Sequence, residues 1–182
     1  MNLRSFSLKP FPGEKNGPDV KITGTIGRRA DTLSLRCALQ GALSKLAIPA
    51  PEESPKRKDR LWEETCLEFF LGENRSGRYW EFHLSPAGHW NVYRFASYRK
   101  GMQEELAFAD LPFRIRMEPD VLRFSLDVGL GKIIPAGDAI EVGVSAVLRT
   151  VTGRRSHWAL LHPGSRPDFH RRDGFTVNIP AE

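Results

Sequence analysis

The strongest constraint on this chain is strict alternation of apolar and polar residues. Leu33, Leu35, Cys37 and Leu39 recur at every second position, as do Leu122, Phe124, Leu126 and Val128. Ile140, Val142, Val144, Ala146 and Leu148 extend the pattern, with Glu141, Ser145 and Arg149 on the opposite side. A period of two gathers such residues on one face of a β-strand, whereas a helix scatters them around its circumference. Val20, Ile22 and Ile26 make a shorter run, softened by Gly24. Long helical periodicity is scarce.

Turn-forming residues fall between the runs, at Pro12-Gly13, Ser76-Gly77, Pro86-Ala87-Gly88, Pro119-Asp120, Pro135-Ala136-Gly137-Asp138 and Thr152-Gly153. Spacing of this kind predicts about ten strands joined by short links, an all-β chain folded as an antiparallel β-sandwich. Leu35, Phe69, Phe82, Phe124, Val142 and Val144 are the expected core. Phe175, Val177 and Ile179 read as a final strand. Two stretches break the rhythm. Residues 47–60 are rich in Pro, Glu, Lys and Arg and predict an exposed, mobile loop. Residues 102–109 are compatible with a short helix.

A chain of 182 residues is the size of one domain, and the strand pattern resumes after each irregular stretch, so residues 1–182 are expected to form a single domain. No apolar run approaches the roughly 18 residues of a membrane span. The first twelve residues carry no apolar leader segment, which sets the expectation of a cytoplasmic protein without membrane association. The net charge of +5 is spread over short clusters such as Lys56-Arg57-Lys58 and Arg171-Arg172 beside turns. With no recognition motif among them, no nucleic-acid partner is expected. Cys37 lies in phase with leucines and reads as a core residue, so a bridge to Cys66 is not expected.

The block 61–95 holds the most chemistry. Leu67, Phe69 and Leu71 alternate with Cys66, Glu68 and Phe70; Trp80, Phe82 and Leu84 alternate with Tyr79, Glu81 and His83. If a turn near Ser76-Gly77 pairs the two strands, Glu68, Glu81 and His83 share one face, as a hydrogen-bonding surface for a hydroxylated ligand or as an ordinary solvated sheet face. Trp62 and Trp158 stand near strand ends, where they either stack on a ligand's C–H face or plug the sandwich. His162, Asp168 and His170 match no metal spacing and are read as loop-fixing groups; no metal site is expected. No nucleophile elbow, phosphate loop or dinucleotide fingerprint is present.

The string Leu61-Trp62-Glu63-Glu64-Thr65-Cys66-Leu67-Glu68-Phe69-Phe70-Leu71, with Tyr79-x-Glu81, Ser85-Pro86-x-Gly88-x-Trp90-Asn91-x-Tyr93 and the late Trp158-Ala159-Leu160-x-His162-Pro163 and Pro167-Asp168-Phe169-His170, resembles bacterial DOMON-like proteins, which are related to carbohydrate-binding modules of family nine. The resemblance implies a β-sandwich with a ligand pocket in which two tryptophans clamp a terminal sugar and an acid hydrogen-bonds it. Trp62 and Glu68 match the first tryptophan and its acid, and Trp158 stands for the second. The expected function is a non-catalytic domain that binds a small molecule, a saccharide or polyol, through Trp62, Glu68, Glu81, His83 and Trp158, with no cofactor. Two alternatives stand beside it. Other DOMON relatives bind haem, for which Met102, Met117 and the histidines offer axial ligands, and Glu68 with Glu81 would suit an enzyme.

Overall fold

The computed structural model describes residues 3–14 and 17–181. Twelve strands run through these residues: β1 (Arg4–Pro10), β2 (Val20–Arg29), β3 (Thr32–Gly41), β4 (Cys66–Glu73), β5 (Tyr79–Leu84), β6 (Trp90–Phe95), β7 (Gln103–Glu104), β8 (Phe113–Glu118), β9 (Val121–Gly129), β10 (Ile140–Arg149), β11 (Arg155–Ala159) and β12 (Val177–Ile179). All pair antiparallel in the order β7-β6-β5-β4-β10-β11-β1-β2-β3-β9-β8, with β12 added to β10. The helical content of the described residues is three short 3-10 turns, and none of it is long and apolar enough to cross a membrane.

The sheet curls so that its two halves face each other as a sandwich. Strand β1 joins them: Arg4 to Leu8 pair with β2, while Lys9 and Pro10 pair with β11. Alternation explains the core between the halves. Leu33, Leu35, Leu122 and Leu126 enter it from one side, and Phe69, Phe82, Val142 and Val144 from the other. Phe124 joins them, so all six expected core residues are buried. Phe69 and Phe82, cross-strand partners in β4 and β5, stack with ring centroids 4.4 Å apart. Pro119-Asp120 closes the β8–β9 hairpin, and the turn carrying Ser76-Gly77 joins β4 to β5. Both cysteines are free and buried.

Two local expectations, the helix at 102–109 and the strand beginning at Phe175, need correction, while the loop at 47–60 is exposed as expected. Residues 102–109 are not helical: β7 pairs with β6, Glu105 accepts a hydrogen bond from the Trp80 indole at 3.0 Å, and Phe108 inserts into the core. These long-range anchors outweigh a weak local propensity. Residues 47–60 are largely exposed but tied down. The Arg57 guanidinium donates to Asn91 Oδ1 at 2.7 Å and to the Phe108 carbonyl at 2.7 Å, and lies 4.4 Å from the Trp90 ring centroid. Phe175 lies outside β12 and packs away from the main core.

The stacked pair at the centre of the core gives a direct test. Truncating Phe69, which is 0% exposed, to alanine is expected to cost about 3–5 kcal/mol in urea unfolding. A loss below about 1 kcal/mol would mean the ring is not in a packed core.

A cavity on the outer face of the second half-sheet

Strands β4 and β5 are buried along both faces. Pairing fixes what the outer face contains. Glu68 lies opposite His83 and Phe70 opposite Glu81, while on the other side Glu68 faces Ser145. Farther out, His83 pairs with Asn91, Glu81 with Tyr93 and Tyr79 with Phe95. Glu68, Glu81 and His83 therefore share one surface, in keeping with the strand parity. That surface is covered rather than solvated: Glu68 is 2% exposed and His83 0%.

Two segments supply the cover. The 3-10 turn Leu61–Glu63 swings half-buried Trp62 over the sheet, its ring 5.4 Å from that of His83 and 6.0 Å from that of Tyr93. The chain between β11 and β12 brings Phe169, His170 and Phe175 onto an apolar patch of Phe70, Tyr79, Tyr93 and Phe95. Two glycines permit this close approach. A Cβ on Gly143 would meet the Phe175 ring at 2.8 Å, and one on Gly72 would meet the Arg172 guanidinium at 2.2 Å. Hydrogen bonds hold the cover in place. Arg99 donates to Asp168 Oδ1 at 2.7 Å, the Tyr98 hydroxyl donates to Asp168 Oδ2, and Tyr79 Oη lies 2.8 Å from His170 Nδ1. Asp168 and His170 thus fix the loop as expected, and His162 contacts the Lys9 carbonyl at 2.9 Å.

Between turn, loop and sheet remains an open cavity of about 410 Å³. Trp62, Glu68 and Glu81 line it together with Phe95, Arg99, Met102, Val147, Arg155, His157, Asp168, Phe169 and His170. His83 lies directly beneath, its Nε2 2.9 Å from Glu81 Oε1 but out of line for a hydrogen bond. Trp158 is not in the cavity. It pairs with Ala146, faces the main core at 5% exposure, and donates its indole N–H to Ser156 Oγ at 3.0 Å. Strand parity places its neighbours Arg155 and His157 in the cavity instead, His157 held by Glu14 through its backbone N–H at 2.7 Å. Of the two methionines offered for haem, Met102 lines the cavity and Met117 sits on β8, exposed.

The floor is electrostatically uneven. Burial pushes the Glu68 carboxyl up to about 7, against the pull of His83 and with the push of Glu81. Burial also acts on His83 and Glu81, but each is overruled by the other: Glu81 raises the imidazole, and His83, with His170 and Arg99, lowers the Glu81 carboxyl. Burial lowers His170 below the ordinary imidazole value, against the pull of Glu81. One face thus offers an acid whose neutral form is favoured, an acid whose charged form is favoured and an imidazole whose protonated form is favoured, a set that both donates and accepts hydrogen bonds.

No protein-family model matches this chain, and no curated protein matches it. Among solved structures, similarity extends over nearly the whole chain. A protein from Bacteroides uniformis, provisionally described as carbohydrate-binding, superposes with a TM-score of 0.63 at 13% identity, over 93% of this chain and 84% of that one. A carbohydrate-binding module of family 9 from Caldicellulosiruptor kristjanssonii, in complex with glucose, gives 0.54 at 13% identity over 91% and 78%. The module in complex with cellotriose gives 0.50 at 12% identity over 88% and 75%. At these identities the likeness establishes the fold alone, a β-sandwich.

The floor makes stability depend on pH in a definite direction. Glu68 and His83 hold protons more tightly in the folded chain than in the unfolded one, so their contribution is complete at low pH and is lost as pH rises. For Glu68 the loss spans 4.5 to about 7; Glu81, shifted the other way, matters only below 4.5. Unfolding free energy is expected to fall by about 1–3 kcal/mol between pH 5 and pH 8, and Glu68→Gln, neutral throughout, to remove most of that slope. His170, shifted down by burial, acts in the opposite sense below 6.5, so the comparison decides: a Glu68→Gln variant with the same pH slope as wild type would contradict the buried acid.

Proposed function

We propose that this chain is a non-catalytic binding domain for a small saccharide or polyol, held in the cavity against Trp62. The observation that carries the reading is one half-exposed indole set over a buried floor of Glu68, Glu81 and His83. A sugar ring has C–H faces that stack on an aromatic ring and an edge of hydroxyls that both donate and accept. The site offers the same division: Trp62, Phe95 and Phe169 as apolar walls, with Glu68, Glu81, Arg155, His157 and His170 as polar groups. A volume of about 410 Å³ falls within the roughly 300–1,000 Å³ of small-ligand sites. The family 9 module similar in fold is one solved with glucose and with cellotriose, which supports the same ligand class. The motif resemblance to DOMON-like proteins belongs to this reading. Trp158, buried on the other face, takes no part in it.

Calorimetric titration with a panel of monosaccharides, short oligosaccharides and polyols tests the proposal. At least one is expected to bind with a stoichiometry of one. Trp62→Ala is expected to weaken that binding at least about tenfold, equivalent to about 1.4 kcal/mol, while the protein stays folded by circular dichroism. Failure of every sugar and polyol to bind, or full affinity in the Trp62 variant, would overturn it.

A further inference from the structure

Two side chains that line the cavity, Glu68 and Glu81, and the fully buried His83 beside them have a chemistry that hydroxyl binding does not exhaust. One ligand atom each from Glu68, Glu81 and His83 lies within 4.8 Å of the other two. Glu68 Oε1 and both ring nitrogens of His83 are buried without a hydrogen-bond partner. Among the described residues, neither carboxylate is ion-paired by a lysine or arginine: Glu68 receives only a weak contact from Ser145 at 3.4 Å, and Glu81 contacts only the imidazoles of His83 and His170. Two buried acids beside an imidazole whose ring nitrogens lack a hydrogen-bond partner are costly unless the unpaired atoms gain a partner.

We propose that Glu68, Glu81 and His83 form a binding site for a divalent first-row transition-metal ion, with an open coordination position facing the cavity. The donor set selects the ion. Calcium and magnesium prefer oxygen ligands throughout, whereas one imidazole with two carboxylates suits zinc and its neighbours. Three protein ligands plus one open position is the arrangement of accessible zinc sites. Ligand atoms around a tetrahedral zinc ion lie roughly 3.3 Å apart, given bonds of about 2.0–2.1 Å. The 2.9 Å between His83 Nε2 and Glu81 Oε1 needs only a small adjustment to reach that spacing.

The scaffold favours a fixed site. Glu68 and His83 are direct cross-strand partners, and Glu81 is two residues along β5 on the same face. All three ligands thus come from adjacent strands at the centre of a half-sheet, with no loop to reorganise. His170 stands outside the set, its Nδ1 occupied by Tyr79 and its Nε2 3.8 Å from Glu81 Oε1. Metal ligands must shed their protons, so an ion and protons compete for one cluster.

This inference does not depend on the saccharide reading, because it is measured with no sugar present. Tag-free protein, stripped with a chelator, is titrated calorimetrically with zinc chloride at pH 7.5, and separately with calcium chloride. One zinc per chain is expected, with micromolar or tighter affinity, and no saturable calcium binding up to 1 mM. Glu68→Gln and Glu81→Gln, both isosteric, and His83→Ala are each expected to weaken zinc at least tenfold, with near-UV circular dichroism reporting the fold. If His83→Ala does not fold, the two glutamine variants decide. His162→Ala, at an exposed histidine, is expected to bind as wild type does. Absence of stoichiometric zinc binding, equal affinity for calcium, or undiminished zinc binding in folded Glu68→Gln and Glu81→Gln would overturn the proposal.

Discussion

Strands β4 and β5 have both faces out of water, so each must satisfy two different environments with alternate residues. The inner residues, Leu67, Phe69, Leu71, Trp80, Phe82 and Leu84, meet a conventional apolar core. The outer residues meet an aromatic patch at one end of the strands and a cluster of ionisable groups at the other. Covering that second face requires segments distant in sequence to lie flat on the sheet. Glycines at 72 and 143 make room for them, and Asp168, held by Arg99 and Tyr98, pins them down. The cavity is the space this cover leaves between Trp62 and the loop after β11.

Burial of the acids is what gives the cavity its character. On a solvated sheet face, Glu68 and Glu81 would both be ordinary carboxylates titrating near about 4.3, ionised at neutral pH and indistinguishable in role. Under the cover they diverge, because desolvation dominates at Glu68 while contact with His83 dominates at Glu81. A floor that exchanges protons near neutrality, with an open mouth above it, is the kind of place where a ligand hydroxyl or a metal ion finds uncompensated partners. The aromatic patch alongside supplies the rigidity that keeps these groups from relaxing toward water: Tyr79 stacks on Phe95 at 4.7 Å and fixes His170 by its hydroxyl.

Much of this was legible from the alternation of residues. The sandwich, its core and the shared face of Glu68, Glu81 and His83 follow from parity and one turn. Parity also explains the main miss. Trp158 is a large aromatic near a strand end, but it shares the phase of Ala146 and so faces the core, while Arg155 and His157, in the opposite phase, reach the cavity. The burial of the outer face was not legible, because its cover comes from a stretch without periodicity, held by contacts such as Tyr98 with Asp168 across 70 positions of sequence. The false helix at 102–109 has the same origin: Trp80 and Val92 fix Glu105 from other strands, and no local pattern records that.

The account rests on Trp62 being the indole that meets the ligand. The four tryptophans give separate indole N–H signals in a proton–nitrogen correlation spectrum, assignable by single substitutions to phenylalanine. Trp80 donates to Glu105 and Trp158 to Ser156, both within buried surroundings. Titration with a saccharide that binds is predicted to shift the Trp62 signal strongly and saturably while those of Trp80 and Trp158 stay in place. A saturable shift of Trp158 with Trp62 unmoved would contradict the account, placing the ligand on a different surface of the sandwich.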